Sequence, residues 1–284
     1  MVSVERAGRA LGARVTGVDL GAALDGEAFA AVRSALNQHS VLVFPCQQVE
    51  PPAHIEFSGR FGELKRHVLK ENLLPGLPEI YVLTNMTSQN QVKPRPYAGA
   101  YWHTDLSYEE QPAFGSVMFA VEVPEVGGDT MFCSMAAAYD ALSERMKTLL
   151  EGLTATHSFE HAYETFVKKL PGTAPISRAI FDDRPPVVHP VVHTHPESGR
   201  KCLYVNPGFT MFINELPPPE SDAILQFLYS HCTDERFIYR HQWTQHDVVM
   251  WDNRATMHKA IPDYTADDDR YMRRTTIAGI APRI

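Results

Sequence analysis

The residues with the most evident chemistry are two histidines and one aspartate that stand far apart in the chain. His103 and Asp105 belong to the segment Trp102-His103-Thr104-Asp105, and His258 follows far downstream. Two imidazoles and one carboxylate form the facial triad that binds non-haem iron(II) and leaves coordination positions open. The pattern therefore predicts a metal centre made by His103, Asp105 and His258.

Local geometry allows these three side chains to meet. In an extended segment, side chains at i and i+2 point to the same side, so His103 and Asp105 converge on one ion. His258 follows the apolar run 248–251, and the intervening Asp252-Asn253 is typical of a turn. We therefore expect His258 on a strand paired with the sheet. A lone His-x-Asp is weak evidence in a chain with 13 histidines, so the prediction depends on the joint pattern.

Two arginines, Arg270 and Arg274, follow the last histidine and would share one face of a strand over 270–280. A guanidinium facing the interior is costly unless an anion pairs with it, and no acidic residue lies within this strand. Bound carboxylates are the predicted partners, because the arginine fork binds them through two hydrogen bonds. The alternative is a surface salt bridge to the acidic run 267–269.

A second group of histidines, His189, His193 and His195, competes for the role of metal ligand. The last two would share one strand face. Prolines surround them, and no acidic residue stands two positions away except through the turn that follows His195. We therefore expect this group to be structural.

Short strands dominate among the elements that must position these residues. Helices are predicted at 26–39, at 134–150 with Ser134 as N-cap, and at 215–232. Segments rich in β-branched and aromatic residues predict strands at 41–44, 116–123, 187–195, 202–205, 237–243, 248–251 and 275–280. Many short strands separated by Pro/Gly turns indicate a mostly β fold, such as a sandwich, jelly roll or barrel, with peripheral helices. No linker-like stretch divides the chain, so 1–284 is expected to form a single domain.

Two long segments, 70–101 and 154–185, carry few signals of regular structure. Such stretches in a compact domain are often active-site lids or disordered insertions. The first ends just before His103, so we expect a lid within 68–101, with a plain surface loop as the alternative.

Composition limits the functional classes. The 284 residues carry a net charge of -8 with pI about 5.9, so nucleic acid is an unfavourable partner. No stretch approaches the 18 apolar residues of a membrane span, and the N-terminus lacks the apolar core of a signal peptide. The four cysteines form no CxxC pair, which is typical of reduced cysteines in a cytoplasmic enzyme.

Several motifs, taken in order, resemble the taurine dioxygenase family, to which the herbicide-degrading phenoxyalkanoate dioxygenases also belong. The likeness extends from Leu11 to about Gly279. The motifs that carry it are WHTD at 102–105, GGDT at 127–130, LYVNPGF at 203–209, WDNR at 251–254 with His258, and RYMRRTT at 270–276.

The resemblance implies a double-stranded β-helix (jelly roll), iron(II), and 2-oxoglutarate and O2 as co-substrates. His103, Asp105 and His258 match the iron ligands of the family. Thr130 and Arg270 match the residues of the family that hold the distal carboxylate of 2-oxoglutarate. Arg274 and His67 match residues that contact the anionic group of the prime substrate. Tyr108 and Phe209 match aromatic positions in the substrate pocket. Lys70 and Gly99 depart from the family pattern at lid positions that help to bind taurine, which makes taurine itself a poor candidate.

The implied reaction is hydroxylation of a small organic anion, such as a sulfonate, an aryloxyalkanoate or a similar carboxylate, with C–S or C–O cleavage where the product is unstable. A homo-oligomer is also implied. Two other functions remain open. A zinc-dependent hydrolase would use the same ligand set, but it gives no role to the two arginines. A non-catalytic jelly-roll binding module would not require an intact triad.

Overall fold

Strands make up most of the regular structure, so the expectation of a mostly β fold with peripheral helices is confirmed. The computed structural model describes residues 1–86, 92–95, 97–170, 175–265 and 267–283. The strands are β1 (Ser3–Arg6), β2 (Ala13–Thr16), β3 (Val41–Phe44), β4 (Leu64–Lys65), β5 (Leu73–Leu74), β6 (Leu77–Thr84), β7 (Ala113–Glu122), β8 (Thr130–Ser134), β9 (Thr154–His157), β10 (Val187–Pro190), β11 (Val192–Thr194), β12 (Lys201–Leu203), β13 (Thr210–Ile213), β14 (Ile238–His241), β15 (Val248–Asp252), β16 (Thr256–Ala260) and β17 (Tyr271–Ala278).

Seven α-helices lie within the residues that the structure describes. They are α1 (Gly26–His39), α2 (Pro51–Gly59), α3 (Met135–Asp140), α4 (Glu144–Leu150), α5 (Phe159–Thr165), α6 (Arg178–Asp182) and α7 (Pro218–Cys232), with 3-10 helices at Lys70–Asn72, Val167–Lys169 and Glu235–Phe237. None of the helices in these ranges is long and apolar enough to cross a membrane.

One large sheet forms the frame of the molecule. Its strand order is β1-β2-β3-β15-β7-β17-β6-β5, and β4 pairs with β17. Its pairs are antiparallel except β2 with β3. A smaller antiparallel sheet, β14-β8-β16, carries His258 on β16 opposite Phe132 of β8. Two further small sheets, β10-β9-β13 and β11-β12, complete the strand pairing within the described ranges.

Strand alternation divides the core between the two faces of the large sheet. Val248 and Met250 of β15 pack with the buried residues of α1 and α2. Val249 and Trp251 point the other way and pack with Phe132 of the smaller sheet, as expected for successive side chains on a strand. The rings of Phe132 and Trp251 lie 5.5 Å apart. The two sheets therefore enclose the second core between them, and its open end leads to the cavity described below.

The sequence-based elements differ from the structure mainly at their boundaries. The strand 41–44 and the helix 26–39 are confirmed, and the third helix begins at Pro218 rather than at 215. The helix predicted over 134–150 is two helices. Ser134 caps the first, as expected, and Ser143 interrupts the pattern by accepting a hydrogen bond from Met146 N at 3.2 Å and starting α4. The strand over 187–195 is divided between β10 and β11.

The two segments expected to be irregular contain more structure than predicted. Residues 77–84 form β6, which pairs with β17 in the large sheet, and 154–185 contains β9, α5 and α6. The strands β6 and β9 form through pairing with strands elsewhere in the chain, which local periodicity does not reveal, and the helices α5 and α6 are short. Residues 87–91 and 96 of the expected lid lie outside the described residues.

Candidate active site

His103 and His258 are held side by side by their own backbone groups. The two residues form an isolated antiparallel bridge, with His103 N donating to His258 O at 3.0 Å and His258 N donating to His103 O at 2.8 Å. Asp105, two positions further on, points into the same space. The potential ligand atoms of the three side chains all lie within 4.8 Å of one another. The predicted convergence of the three side chains is therefore present in the structure.

Hydrogen bonds orient the first imidazole. His103 Nδ1 lies 2.8 Å from the carbonyl oxygen of Tyr101, so Nδ1 carries the proton and donates it. The lone pair of Nε2 is then free, and Nε2 lies 3.7 Å from Asp105 Oδ1. In metal sites, the ring nitrogen that does not bind the metal commonly donates a hydrogen bond, as Nδ1 of His103 does here. This hydrogen bond fixes the tautomer and the ring orientation.

The second imidazole is kept neutral by its surroundings. Burial lowers the pKa of His258 well below its usual value, and the positive potential of His103 and Arg274 lowers it further. His258 Nε2 lies 3.9 Å from Asp105 Oδ2. A metal ligand must be deprotonated, so this environment suits coordination through a neutral ring.

Asp105 is a buried carboxylate with two strong donors. Ser116 Oγ donates to Oδ2 at 2.7 Å, and Arg274 Nη1 donates to Oδ1 at 3.0 Å. Burial by itself would raise the pKa of Asp105, but Arg274, His258 and His103 outweigh it and hold that pKa well below its usual range. The carboxylate is thus ionised and available to a cation. Asn253 supports it by accepting from Asp105 N at 3.2 Å.

No acidic residue lies within the strand of Arg274, but Arg274 has an acidic partner elsewhere in the protein. Arg274 faces inward on β17, as expected, but its ion pair is with Asp105, which comes from a different part of the chain. Sequence spacing within one strand cannot reveal a partner that lies 169 positions away.

Arg270 is a buried arginine, and its Nε has no hydrogen-bond partner among the described residues. No salt bridge joins it to an acidic residue of the described ranges, and the ring of Tyr264 lies 5.8 Å from its guanidinium carbon. Burial lowers the pKa of Arg270. This burial excludes a surface salt bridge, so a positive charge without an acidic partner among the described residues faces the interior.

One cavity of about 520 Å³ is lined by all nine residues that the sequence analysis assigned to the metal, co-substrate and substrate sites. This volume falls within the range of about 300–1,000 Å³ for small-molecule sites. The residues that line it include the three potential metal ligands, His67, Tyr108, Thr130, Phe209, Arg270 and Arg274.

Thr130 and Arg270 contribute a polar end to this cavity. Thr130 Oγ1 accepts a hydrogen bond from Trp243 Nε1 at 3.0 Å. Gly128 lies against Arg270, since a Cβ at this position would be in ordinary contact with Arg270 Nε at 3.4 Å, and its φ of +72° favours glycine because it is strained for other residues. The GGDT motif therefore shapes the surroundings of the guanidinium.

His67 presents a donor to the cavity. Its Nδ1 accepts from Leu69 N at 3.1 Å, so the neutral ring carries its proton on Nε2. Burial lowers the pKa of His67 well below its usual value, and the charges of Arg274 and Arg95 lower it further. The backbone thus fixes opposite tautomers in His67 and His103, one suited to donate to an anion and the other to bind a cation.

Aromatic and aliphatic residues form the remaining wall. The rings of Tyr108 and Phe209 lie 4.7 Å apart, and the Tyr101 and Phe209 rings lie 6.3 Å apart. Gly208 permits this packing, because a Cβ there would come within 3.0 Å of Tyr101 and His103. Further wall residues come from the segment 154–185, which was not assigned to the site from the sequence: Phe159, Ala162, Tyr163, Val167, Leu170, Pro175, Ile176 and Ile180.

Other cavity residues were also missed from the sequence. Tyr81 is the cross-strand partner of Arg274, and Arg95 follows the undescribed residues 87–91. Ser116 and Asn253 orient Asp105. Asn253 belongs to the WDNR motif, which the sequence analysis identified without giving Asn253 a role. No sequence pattern marks Tyr81, Arg95 or Ser116.

The competing histidines have other partners. His189 Nε2 is 3.0 Å from Glu109 O, His193 Nε2 is 2.7 Å from Arg254 O, and His195 Nε2 is 2.9 Å from Asp252 Oδ2. In the part of the chain that the structure describes, the one group of three or more potential metal ligands is His103, Asp105 and His258. The structural role expected for the other cluster is consistent with these hydrogen bonds.

Comparison with known proteins agrees with the geometry of the site. A family model described as "Taurine catabolism dioxygenase TauD, TfdA family" matches residues 3–276. The chain is 35% identical over 274 residues to the alpha-ketoglutarate-dependent 2,4-dichlorophenoxyacetate dioxygenase of Cupriavidus pinatubonensis, with 93% of each chain covered. It is 32% identical over 283 residues to the alpha-ketoglutarate-dependent sulfate ester dioxygenase of Pseudomonas putida, covering 97% of this chain and 89% of the relative.

A solved structure provides a further match. The crystal structure of AAD-2 in complex with Mn(II) and N-oxalylglycine superposes with a TM-score of 0.83 at 30% identity and covers 100% of both chains. N-oxalylglycine is 2-oxoglutarate with an NH group in place of the CH2 next to the keto carbon. A divalent metal and a 2-oxoglutarate analogue are thus bound by a protein of this fold.

Proposed function

The chain belongs to the taurine catabolism dioxygenase TauD, TfdA family and is an iron(II)- and 2-oxoglutarate-dependent dioxygenase, and from this premise we propose that it hydroxylates a small organic anion. The observation that carries the proposal is the presence, in one cavity, of the three converging ligands and of the buried Arg270, which has no acidic partner among the described residues. Succinate and CO2 are the co-products.

His103, Asp105 and His258 hold the iron in this proposal. Two imidazoles and an ionised carboxylate on one side of an ion match the donor set that iron(II) uses in such enzymes. When bound, iron and 2-oxoglutarate together activate O2 for insertion into a C–H bond. The protein contributes the orientation of the His103 ring through its Nδ1, the ionised state of Asp105 and an aromatic and aliphatic cavity wall.

Thr130 and Arg270 bind the distal carboxylate of 2-oxoglutarate. The guanidinium of Arg270 needs an anion because its burial is otherwise only weakly compensated. A planar carboxylate satisfies the arginine fork through two hydrogen bonds, and the Thr130 hydroxyl can donate a third because its oxygen already accepts from Trp243.

His67 and Arg274 bind the anionic group of the prime substrate, and Tyr108 and Phe209 contact its apolar part. His67 offers Nε2–H, and Arg274 has donors beyond the Nη1 used by Asp105. The substrate anion and a metal ligand would therefore share one guanidinium. Such an arrangement orients the reacting C–H bond relative to the metal. When the hydroxylated carbon carries a sulfonate, sulfate or aryl ether oxygen, C–S or C–O cleavage follows.

The remaining expectations extend this proposal. The two packed, largely antiparallel sheets are consistent with a double-stranded β-helix, with residues 1–284 as one domain and an active-site lid within 68–101. A cytoplasmic homo-oligomer without nucleic-acid or membrane partners remains our prediction.

The two alternative functions give weaker accounts of the site. A zinc-dependent hydrolase would use the triad, but this hypothesis assigns no ligand to the buried Arg270. A binding module would not require Arg274 and Ser116 to keep Asp105 ionised and oriented.

Anaerobic titration of 2-oxoglutarate into the iron(II)-loaded protein tests the proposal. A visible charge-transfer band and iron-dependent release of succinate from 2-oxoglutarate are expected. The absence of both, or activity restored by zinc alone, would refute it.

A further inference from the structure

The ring of Tyr81 lies at the centre of a cluster of hydrogen-bond donors. The His67 ring stacks on it with centroids 3.9 Å apart, and the guanidinium carbon of Arg274 lies 5.3 Å from its centroid. Arg95 Nη1 donates to the Tyr81 hydroxyl at 3.2 Å. Tyr81 and Arg274 are directly opposite each other on β6 and β17, so both point to the same side. Four residues from separate parts of the chain thus surround one space in the cavity, and we refer to them as the Tyr81 cluster.

The backbone around Arg95 fixes its position. Arg95 N donates to Thr84 O at 2.7 Å, and Asn72 Nδ2 donates to Lys93 O at 2.7 Å. Val92, at the start of this short segment, is 4% exposed. The segment 92–95 is therefore anchored at three points, and the Arg95 side chain is directed to the cavity by structure that is independent of any ligand.

The positive charges of Arg95 and Arg274 in the Tyr81 cluster exceed the negative charge that pairs with them among the described residues. No salt bridge joins Arg95 to an acidic residue within the described ranges, and the only ion pair of Arg274 there is with Asp105. Arg274 Nε is buried without a hydrogen-bond partner in the same ranges. The Tyr81 hydroxyl accepts from Arg95, so its own hydrogen remains available. The cluster therefore offers more donors and more positive charge than its own residues use.

We infer that Arg95 and Tyr81 complete an anion receptor with His67 and Arg274, and that the group it binds is an SO3⁻ head of a sulfonate or sulfate ester with an apolar tail. This inference rests on the proposed function and names the substrate class for the same site. A carboxylate presents two oxygens in one plane, which one guanidinium satisfies. Four donor side chains from four elements suit a tetrahedral group with three terminal oxygens. The aromatic wall of Tyr108 and Phe209 then receives the apolar tail.

Matched ligands test the inference. Hexyl sulfate, hexane-1-sulfonate and heptanoate share a hydrocarbon tail and differ in the head group. Their dissociation constants are measured calorimetrically, without oxygen, on the protein loaded with iron(II) and 2-oxoglutarate. We expect the two SO3⁻ ligands to bind about tenfold or more tightly than heptanoate, since one additional hydrogen bond to a charged group corresponds to about that factor.

Variants then identify the residues responsible. Arg95→Met should weaken the SO3⁻ ligands about tenfold and heptanoate much less, and Arg95→Lys should restore part of the loss by retaining the charge. Tyr81→Phe should produce a smaller loss in the same direction. Arg66→Met is the matched control, because Arg66 is exposed and its partner is Glu79 outside the cavity; it should leave all three constants unchanged.

The outcomes separate this inference from the proposed function. If 2-oxoglutarate fails to bind the wild-type protein, the proposed function is wrong, and hexyl sulfate binding to the metal-free protein still measures the receptor. If heptanoate binds wild type as tightly as the SO3⁻ ligands, or if Arg95→Met weakens all three equally, the inference is overturned. An equal effect of Arg66→Met would overturn it as well.

Discussion

Replacement of Arg270 by methionine should have opposite effects on co-substrate binding and on protein stability. Methionine retains much of the length of the side chain but removes its charge and its donors. In the ligand-free protein, Arg270 is buried, its Nε has no hydrogen-bond partner among the described residues, and the Tyr264 ring lies 5.8 Å from its guanidinium carbon, so the desolvation of its charge is only weakly compensated. In the complex with 2-oxoglutarate, the same charge would be paired with a carboxylate.

The magnitudes follow from these two environments. Each hydrogen bond to a charged group contributes about 1.5–3 kcal/mol, so loss of a bidentate contact should weaken 2-oxoglutarate by about 10²-fold or more. Removal of a weakly compensated buried charge should raise the free energy of unfolding of the ligand-free protein by about 1 kcal/mol or more. This increase corresponds to a rise in Tm of a few degrees, since about 1 kcal/mol shifts Tm by about 2–4 °C in chains of 150–250 residues.

Thermal unfolding with Mn(II), with and without 2-oxoglutarate, measures both effects. At about 100 times its Kd, 2-oxoglutarate should stabilise the wild-type protein by about 2.7 kcal/mol, whereas the same concentration should stabilise Arg270→Met, with its affinity about 10²-fold weaker, by about 0.4 kcal/mol or less. Metal content, measured by atomic absorption, should be unchanged because Arg270 contacts none of the three ligands.

Arg273, on the strand β17 that begins just after Arg270, provides the matched control. It faces the opposite side of the sheet, where Nη2 donates to Val49 O at 2.8 Å and the guanidinium lies 4.8 Å from the Phe119 ring. Arg273→Met should lower Tm and preserve the shift caused by 2-oxoglutarate. Wild-type affinity for 2-oxoglutarate in Arg270→Met, or a lower Tm of its ligand-free form, would refute the reasoning.

Three other predictions concern the metal ligands and the buried histidines. Ser116→Ala removes the hydrogen bond to Asp105 Oδ2, and iron affinity measured by competition with a chelator should fall about tenfold; an unchanged affinity would exclude a role for Ser116 in orienting the carboxylate. Arg274→Met removes the charge that helps to depress the pKa of Asp105, so protons should compete with the metal at higher pH than in wild type, and a metal-binding titration at several pH values with an unaltered profile would contradict this. His54 and His193 have pKa values of about 4 because of burial. Between their usual value of 6.5 and about 4 the unfolded chain binds more protons than the folded one, so the free energy of unfolding should decrease as pH falls through this window; a flat dependence of Tm on pH would show that these rings are not held neutral.

The triad was predictable because its information is local and chemical. His103 and Asp105 need only an extended backbone to face the same way, and His258 needs only to follow a buried strand and a turn. The strand over 248–251 was visible as an apolar run because both of its faces are covered, one by α1 and α2 and the other by the smaller sheet.

Elements that depend on distant partners were not predictable in the same way. β6 contains Pro78 and follows Pro75 and Gly76, and its pairing with β17 and β5 makes it a strand. The break between α3 and α4 occurs at Ser143, which is compatible with a helix interior by propensity but caps a new helix in the structure. In both cases the competing local states differ little in energy, and tertiary contacts decide between them.

The amino-acid sequence alone determined which chemistry this protein can perform, because ligand identity, inward-facing arginines and the order of the motifs are properties of residue types and spacing. Only the tertiary structure decided how those groups are coupled: that Asp105 is the partner of Arg274, that Arg270 has none among the described residues, and that Tyr81 and Arg95 join His67 beside the metal ligands. The reason is physical, since charge pairing and desolvation depend on distances of a few ångströms between residues that the chain order separates by up to 169 positions.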